Sequence, residues 1–182
     1  MYQNEPIPTL RQWGAIQVVR NSAAEETLGQ LCALRISFSK TKSATDNLFG
    51  LSAALLDAAA FAADSNIRKL NVNRWDDGAF ILAEFENEVT AEIELNLGLP
   101  ASMPGIYFVT AFCSEGITTN QPLTGYFNPS GVLLADQGSC KTFLVDRDIC
   151  EDEIAQARCR ALADGLPPVP QTIIDLIKEY FQ

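Results

Sequence analysis

The sequence predicts an α+β domain: a mainly antiparallel, open β-sheet with helices on one face and no Rossmann domain in this chain. Three observations carry that expectation. Residues 79–97, AFILAEFENEVTAEIELNL, place an apolar side chain at every odd position except Asn87, the period of two that marks half-buried strands. Leu48–Ala63 is alanine-rich and apolar nearly all round, as a buried helix requires. Turn residues, clearest at Asp77-Gly78 and Pro104-Gly105, recur between short apolar runs.

Each element follows from local chemistry. Pro8 suits the first turn of a helix through Thr9–Val19, and Ser22-Ala23-Ala24-Glu25 has capping-box spacing for a second short helix that Gly29 stops. Leu31–Ser39 alternates, with Cys32, Leu34, Ile36 and Phe38 on one face and Arg35, Ser37 and Ser39 on the other. Lys40–Asn47 is a polar loop whose Thr45 or Asp46 caps the helix 48–63. Strands follow at Arg68–Arg74, Ala79–Phe85, Val89–Leu97 and Ile106–Phe112 as an antiparallel meander. Runs at Ile117–Thr119, Val132–Leu134 and Thr142–Val145 extend the sheet, with Asn128-Pro129-Ser130-Gly131 as a turn. Asp148 caps a helix from Ile149 to Asp164, Pro167, Pro168 and Pro170 prevent its continuation, and Thr172–Phe181 closes the chain as a short amphipathic helix.

A length of 182 residues with 47 % hydrophobic content is enough for one sizeable core, so residues 1–182 are read as a single domain. Its parts are a helical opening over 8–28, a sheet with its buried helix over 31–145, and C-terminal helices over 149–181. The net charge of −10 repels nucleic acid and anionic membranes, and the longest apolar run is interrupted by Gly50, Ser52 and Asp57. A cytoplasmic protein without nucleic-acid or membrane partners is expected. The five cysteines show no C-x-x-C spacing and read as buried free thiols. There is no histidine, which removes histidine acid-base chemistry, the usual serine and cysteine nucleophile schemes, and most zinc sites.

The odd-position rule fixes the register of the hairpin. Phe85 must lie opposite Val89 across the loop Glu86-Asn87-Glu88, because a two-residue loop would pair Phe85 with Thr90 and bury charge. Glu84 then faces Thr90, Leu82 faces Glu92 and Phe80 faces Glu94, giving an even face that mixes acid with apolar side chains. Same-face neighbours along a strand stand ~6.5 Å apart, too far for Glu84, Glu92 and Glu94 to converge on one ion. No metal site and no catalytic residue is assigned. Phe80, Leu82, Glu84, Glu92 and Glu94 are read as an interface instead, with acids at its rim or paired with residues such as Arg35 or Arg74.

The order of elements, with LFGLSAALLDAAAF, DDGAFILAEFENEVTAEIEL and FVTAFCSEGITTN, resembles the C-terminal domain of the glucose-fructose oxidoreductase and inositol dehydrogenase family from about Gly29 to Ala135. In that family a dinucleotide-binding Rossmann domain precedes an α+β domain whose open sheet shapes the substrate site and joins subunits. The resemblance extends to the AEFENE hairpin, where Glu88 replaces the family's usual glycine. The family helix commonly carries Asp-x-Gly-x-His-x-x-Asp. Laid on Gly50–Asp57, it finds Gly50, Ser52 and Ala54 at its first three marked positions and keeps only Asp57, and alanine moves no proton.

The resemblance therefore implies Asn47, Ser52 and Asp57 as substrate contacts, with a structural role for Asp57, bonded to backbone or to an arginine, as the competing reading. It implies no cofactor held in this chain, since G-x-G-x-x-G is absent, and NAD or NADP if a Rossmann domain is supplied. The function expected is the substrate-binding and oligomerisation domain of an NAD(P)-dependent oxidoreductase acting on a sugar, polyol or related hydroxy compound, silent alone. Its expected partners are a second copy, through the open sheet face, and a dinucleotide-binding domain. The rival is a non-enzymatic binding or scaffold protein derived from that domain. A cysteine-nucleophile enzyme is disfavoured because nothing near any cysteine in sequence would stabilise a thiolate.

Overall fold

Helix α2 spans Leu48–Ala63 and strand β1 spans Leu31–Ser39, both with the limits their sequence patterns set. The computed structural model describes residues 6–44, 46–121, 131–136, 140–144 and 151–182. The remaining elements are α1 (Gly14–Ala24), β2 (Ile67–Trp75), β3 (Gly78–Phe85), β4 (Thr90–Asn96), β5 (Ile106–Cys113), β6 (Gly116–Thr119), β7 (Gly131–Asp136), β8 (Cys140–Leu144), α3 (Glu151–Ala163) and α4 (Gln171–Lys178). Of the expected turn Asn128-Pro129-Ser130-Gly131 only Gly131 is described, as the first residue of β7; the rest of it, the Asp148 cap and Thr45 lie outside the described residues.

All eight strands form one open sheet in the order β2-β3-β4-β1-β5-β6-β7-β8. The expected simple meander is corrected at one place: β1 is inserted between β4 and β5, parallel to β4 and antiparallel to β5. Its two faces already alternate between Leu34, Ile36 and Phe38 on one side and Arg35 and Ser37 on the other, so it fits between two half-buried neighbours without a change of pattern. The other five described pairings are antiparallel.

Helices α1, α2 and α4 pack on a single face of this sheet. Between the layers lies the core, one buried cluster that includes Leu55 and Leu56 of α2, Ile81, Phe85, Ile93 and Leu95 of the hairpin, and Trp13 and Ile16 from the opening segment and α1. Burying side chains of this size stabilises the fold by roughly 1.5–3 kcal/mol each. Every odd hairpin position from Ala79 to Leu97 except Asn87 is buried.

The helical opening differs from expectation. One helix replaces two: Trp13 stays extended as the N-cap of α1, behind a turn closed by its N–H on the Leu10 carbonyl, and Ser22 is buried within α1 instead of starting a new helix. The chain leaves α1 through Glu26 and Gly29, whose φ values of 51° and 74° end helical bonding. At α2 the cap is Asn47, whose Oδ1 accepts from the Phe49 N–H at 3.1 Å. Asp46 instead accepts from Ser43 and Lys40.

The buried-thiol expectation is also corrected. The register of β1 against β5 slips between Leu31 and Ala33, which leaves Cys32 exposed, its Sγ donating to the Gln30 carbonyl at 3.4 Å. Cys159 is exposed and Cys113 is half-buried, where burial pushes its thiol up and away from a reactive thiolate. Among the described residues no helix is long and apolar enough to cross a membrane.

Candidate functional site

The three residues that the family resemblance marks as substrate contacts are spread along α2, and each already has a place in the fold. Asn47 caps the helix. Ser52 is fully buried, and its hydroxyl has no hydrogen-bond partner. Asp57, also fully buried, accepts from Arg11 Nη2 at 2.6 Å, from Arg11 Nε at 3.0 Å and from the Thr9 hydroxyl at 2.5 Å. Ala54, at the position of the family histidine, is sealed as well. The face of α2 that carries the motif is therefore packed shut. Arg11 and Thr9 lie in an irregular segment 46 and 48 residues away, so no local pattern could have linked them to Asp57.

The even face of the sheet is different, because α1, α2 and α4 pack on the other side and leave it uncovered by them. The structure reproduces the expected register, with Glu84 opposite Thr90, Leu82 opposite Glu92 and Phe80 opposite Glu94. Beta-strand neighbours widen this face: Trp75 on β2 and Phe112 on β5 join Phe80 and Leu82 as exposed large apolar side chains. Trp75, Phe80 and Leu82 lie together on the paired strands β2 and β3, while Phe112 stands across β4 and β1 from them; a cluster of exposed large apolar side chains is unusual for a surface that faces only water.

The acids of this face are largely paired. Arg35 on β1 reaches Glu92 through Nη2 at 2.7 Å and Nε at 3.0 Å. Glu84 accepts from Lys69 at 3.2 Å and Arg68 at 3.3 Å, and the Lys69 contact, reinforced by Arg68, holds its carboxyl below the usual range. Arg74 takes no part. The register of β2 places it opposite Ala79 on the helix-bearing face, where its guanidinium lies over the Phe181 ring. Lys69 and Arg68 thus take the role expected of Arg74: Lys69 shares this face with Asn71, Asn73 and Trp75 by alternation, and Arg68 stands at the register shift between Ile67 and Lys69. Among the described residues no group of three or more potential ligands could hold a metal ion.

The entry to α2 is likewise unsuited to a nucleotide phosphate. The β1-to-α2 connection carries no glycine, its Phe49 N–H is taken by Asn47, and the Asp46 carboxylate stands before the helix. A groove of about 580 Å³ opens at the other end of α2, between Phe61 and Asp64, the hairpin residue Glu86, and Leu176 of α4.

No protein-family model matches the sequence, and no curated protein matches it. Solved structures do. The chain is similar to levoglucosan dehydrogenase in complex with NADH and L-sorbose (13 % identity, TM-score 0.63, covering 93 % of this chain and 60 % of that one). It is similar to an inositol dehydrogenase homologue from Azotobacter vinelandii in complex with NADH and myo-inositol (14 %, 0.58, 83 % and 45 %). An oxidoreductase from Agrobacterium radiobacter, in complex with NAD+, L-tartaric acid and magnesium, matches in the same way (15 %, 0.57, 87 % and 54 %).

The structural neighbours are thus oxidoreductases of the glucose-fructose oxidoreductase and inositol dehydrogenase type, and the likeness is one of fold. The chain spans about half the length of these neighbours.

Proposed function

We propose that this chain is the substrate-binding and oligomerisation domain of an NAD(P)-dependent oxidoreductase of sugars, polyols or related hydroxy compounds, and that it is silent until a dinucleotide-binding domain joins it. The observation that supports this most is the fold match, which covers most of this chain and about half of each sugar or polyol oxidoreductase. Calorimetry tests the reading directly. The chain alone takes up neither NADH nor NADPH, whereas fusion or mixing with a Rossmann domain of this family yields polyol-dependent reduction of NAD+ or NADP+. Micromolar binding of either cofactor by the chain alone would overturn it.

One observation favours a second reading, a binding or scaffold protein that has kept the sheet and lost the chemistry. Ser52, Ala54 and Asp57 are all fully buried, so a substrate has no open path to the face that carries the motif. On this reading the even sheet face is the working surface and no fusion restores turnover.

A further inference from the structure

Cys32 and Cys113 stand opposite each other in the β1–β5 ladder. Leu34 pairs with Ala111 and Ala33 with Phe112, so the same register carried one step further reaches Cys32 and Cys113; the slip then sets Leu31 against Cys113 as well, and the bulge leaves two residues of β1 facing that one position. Residues opposed across an antiparallel ladder keep their Cα atoms about 4.5–5.5 Å apart, within the roughly 4.4–6.8 Å that a disulfide spans. The surrounding contacts agree. The Gln30 carbonyl accepts from the Cys32 Sγ at 3.4 Å and from the Ser114 N–H at 2.8 Å, so the Cys32 sulfur is one shared oxygen away from the peptide that follows Cys113. Burial, and after it the charge of the neighbouring Cys32, pushes the Cys113 thiol up, which puts the two sulfurs within electrostatic reach of each other.

We propose that Cys32 and Cys113 form a reversible cross-strand disulfide, with hydrogen peroxide as the oxidant. Cys32 is the exposed member and reacts first: its sulfur takes one peroxide oxygen as the O–O bond breaks, and a first water leaves. The Cys113 sulfur then displaces that oxygen as a second water, and the S–S bond forms. The two thiols lose two electrons and two protons in all, and one peroxide becomes two waters. Cys113, half-buried and held as a thiol, is slow toward peroxide itself, which gives it the second step. The bridge fastens the exit of α1 to the β5–β6 turn. That junction is otherwise held by hydrogen bonds from the Ser114 N–H to the Gln30 carbonyl, from the Glu115 N–H to the Leu28 carbonyl and from the Gln30 N–H to the Ser114 hydroxyl. Gly29 keeps it close, since a Cβ there would collide with the Ser114 hydroxyl. The bridge stands whether or not a dinucleotide-binding domain joins the chain.

The test treats the full chain with hydrogen peroxide and reads it by intact mass and by a non-reducing chymotryptic peptide map, which cuts between Cys113 and Cys140. The expected result is a loss of about 2 Da, a linked peptide pair joining Cys32 to Cys113, reversal by dithiothreitol, and a melting temperature raised by on the order of 5 °C in the bridged form. Cys113→Ser, which keeps the size of the side chain, leaves Cys32 as a sulfenic acid that dimedone traps, and Cys32→Ser abolishes the link. Cys159, exposed on α3, reports that the oxidant has reached the chain. Three results would overturn the proposal: no Cys32–Cys113 peptide at a peroxide dose that oxidises Cys159, Cys32 linked instead to another cysteine or to a second copy, or a link that forms only in denaturant.

Discussion

Arg11 Nη2 lies 2.6 Å from Asp57 Oδ1, and this contact joins the irregular N-terminal segment to the centre of the buried helix. Asp57 is fully buried while the Arg11 side chain is 27 % exposed. Removing the carboxylate leaves a half-buried guanidinium without its partner, and removing the guanidinium leaves a buried carboxylate with only Thr9. Asp57→Ala is expected to cost about 3 kcal/mol in urea denaturation, with the double variant Arg11→Met/Asp57→Leu regaining part of that loss. A cost near that of an ordinary surface substitution, about 0.5 kcal/mol, would mean that the pair does not hold the segment to the helix.

Glu88 sits at φ 68°, at the third position of the hairpin loop closed by the Glu88 N–H on the Phe85 carbonyl at 3.1 Å. A side chain there meets its own backbone, and glycine does not. Glu88→Gly is therefore expected to stabilise the protein by about 1 kcal/mol, the reverse of what glycine does within a strand. A lowered denaturation midpoint would show that the Glu88 side chain makes a contact worth more than the strain.

How much of this was legible follows the range of the interactions. The hairpin register could be read because a single rule, odd residues inward, admits only a three-residue loop between Phe85 and Val89. The limits of β1 and α2 could be read because apolar patterning starts and stops with them. The insertion of β1 could not, since Arg35 and Leu34 fit equally well beside β4 or at an edge. Cys32 misled for a related reason: one slipped residue turns a side chain outward, and composition gives no sign of it. The Asp57 site was half legible. An arginine was a foreseeable partner for a buried carboxylate, but nothing near Arg11 marked it as the one.

Asp46 gives a pH test. Burial alone would raise its pKa, but hydrogen bonds from the Ser43 backbone and hydroxyl and from Lys40 together bring it below the ordinary value. A depressed folded-state pKa contributes stability that is present above the unfolded carboxylate value and lost as pH falls through the folded one. Asp46→Asn should thus lower the melting temperature at neutral pH and converge with the parent below the usual aspartate range. A difference that stays constant across that range would assign the effect to hydrogen bonding without titration.

The even sheet face carries the last prediction. Trp75, Phe80, Leu82 and Phe112 expose apolar surface there, while Glu84 and Glu92 are neutralised within the chain by Lys69, Arg68 and Arg35. That pairing removes much of the repulsion that would oppose two such faces meeting, which is why a second copy is a physically reasonable occupant. A two-fold dimer brings the apolar side chains of both copies together, with Glu94, opposite Phe80, beside them. Leu82→Arg should then yield monomers by sedimentation while far-ultraviolet circular dichroism and the melting profile stay native, because Leu82 is 42 % exposed and no core residue changes. Glu94→Ala should leave the dimer intact or tighten it slightly, since it removes a charge that has no ion-pair partner among the described residues. If the parent protein sediments as a monomer at high micromolar concentration, the face does not join copies of this chain, and the apolar strip must serve a different partner.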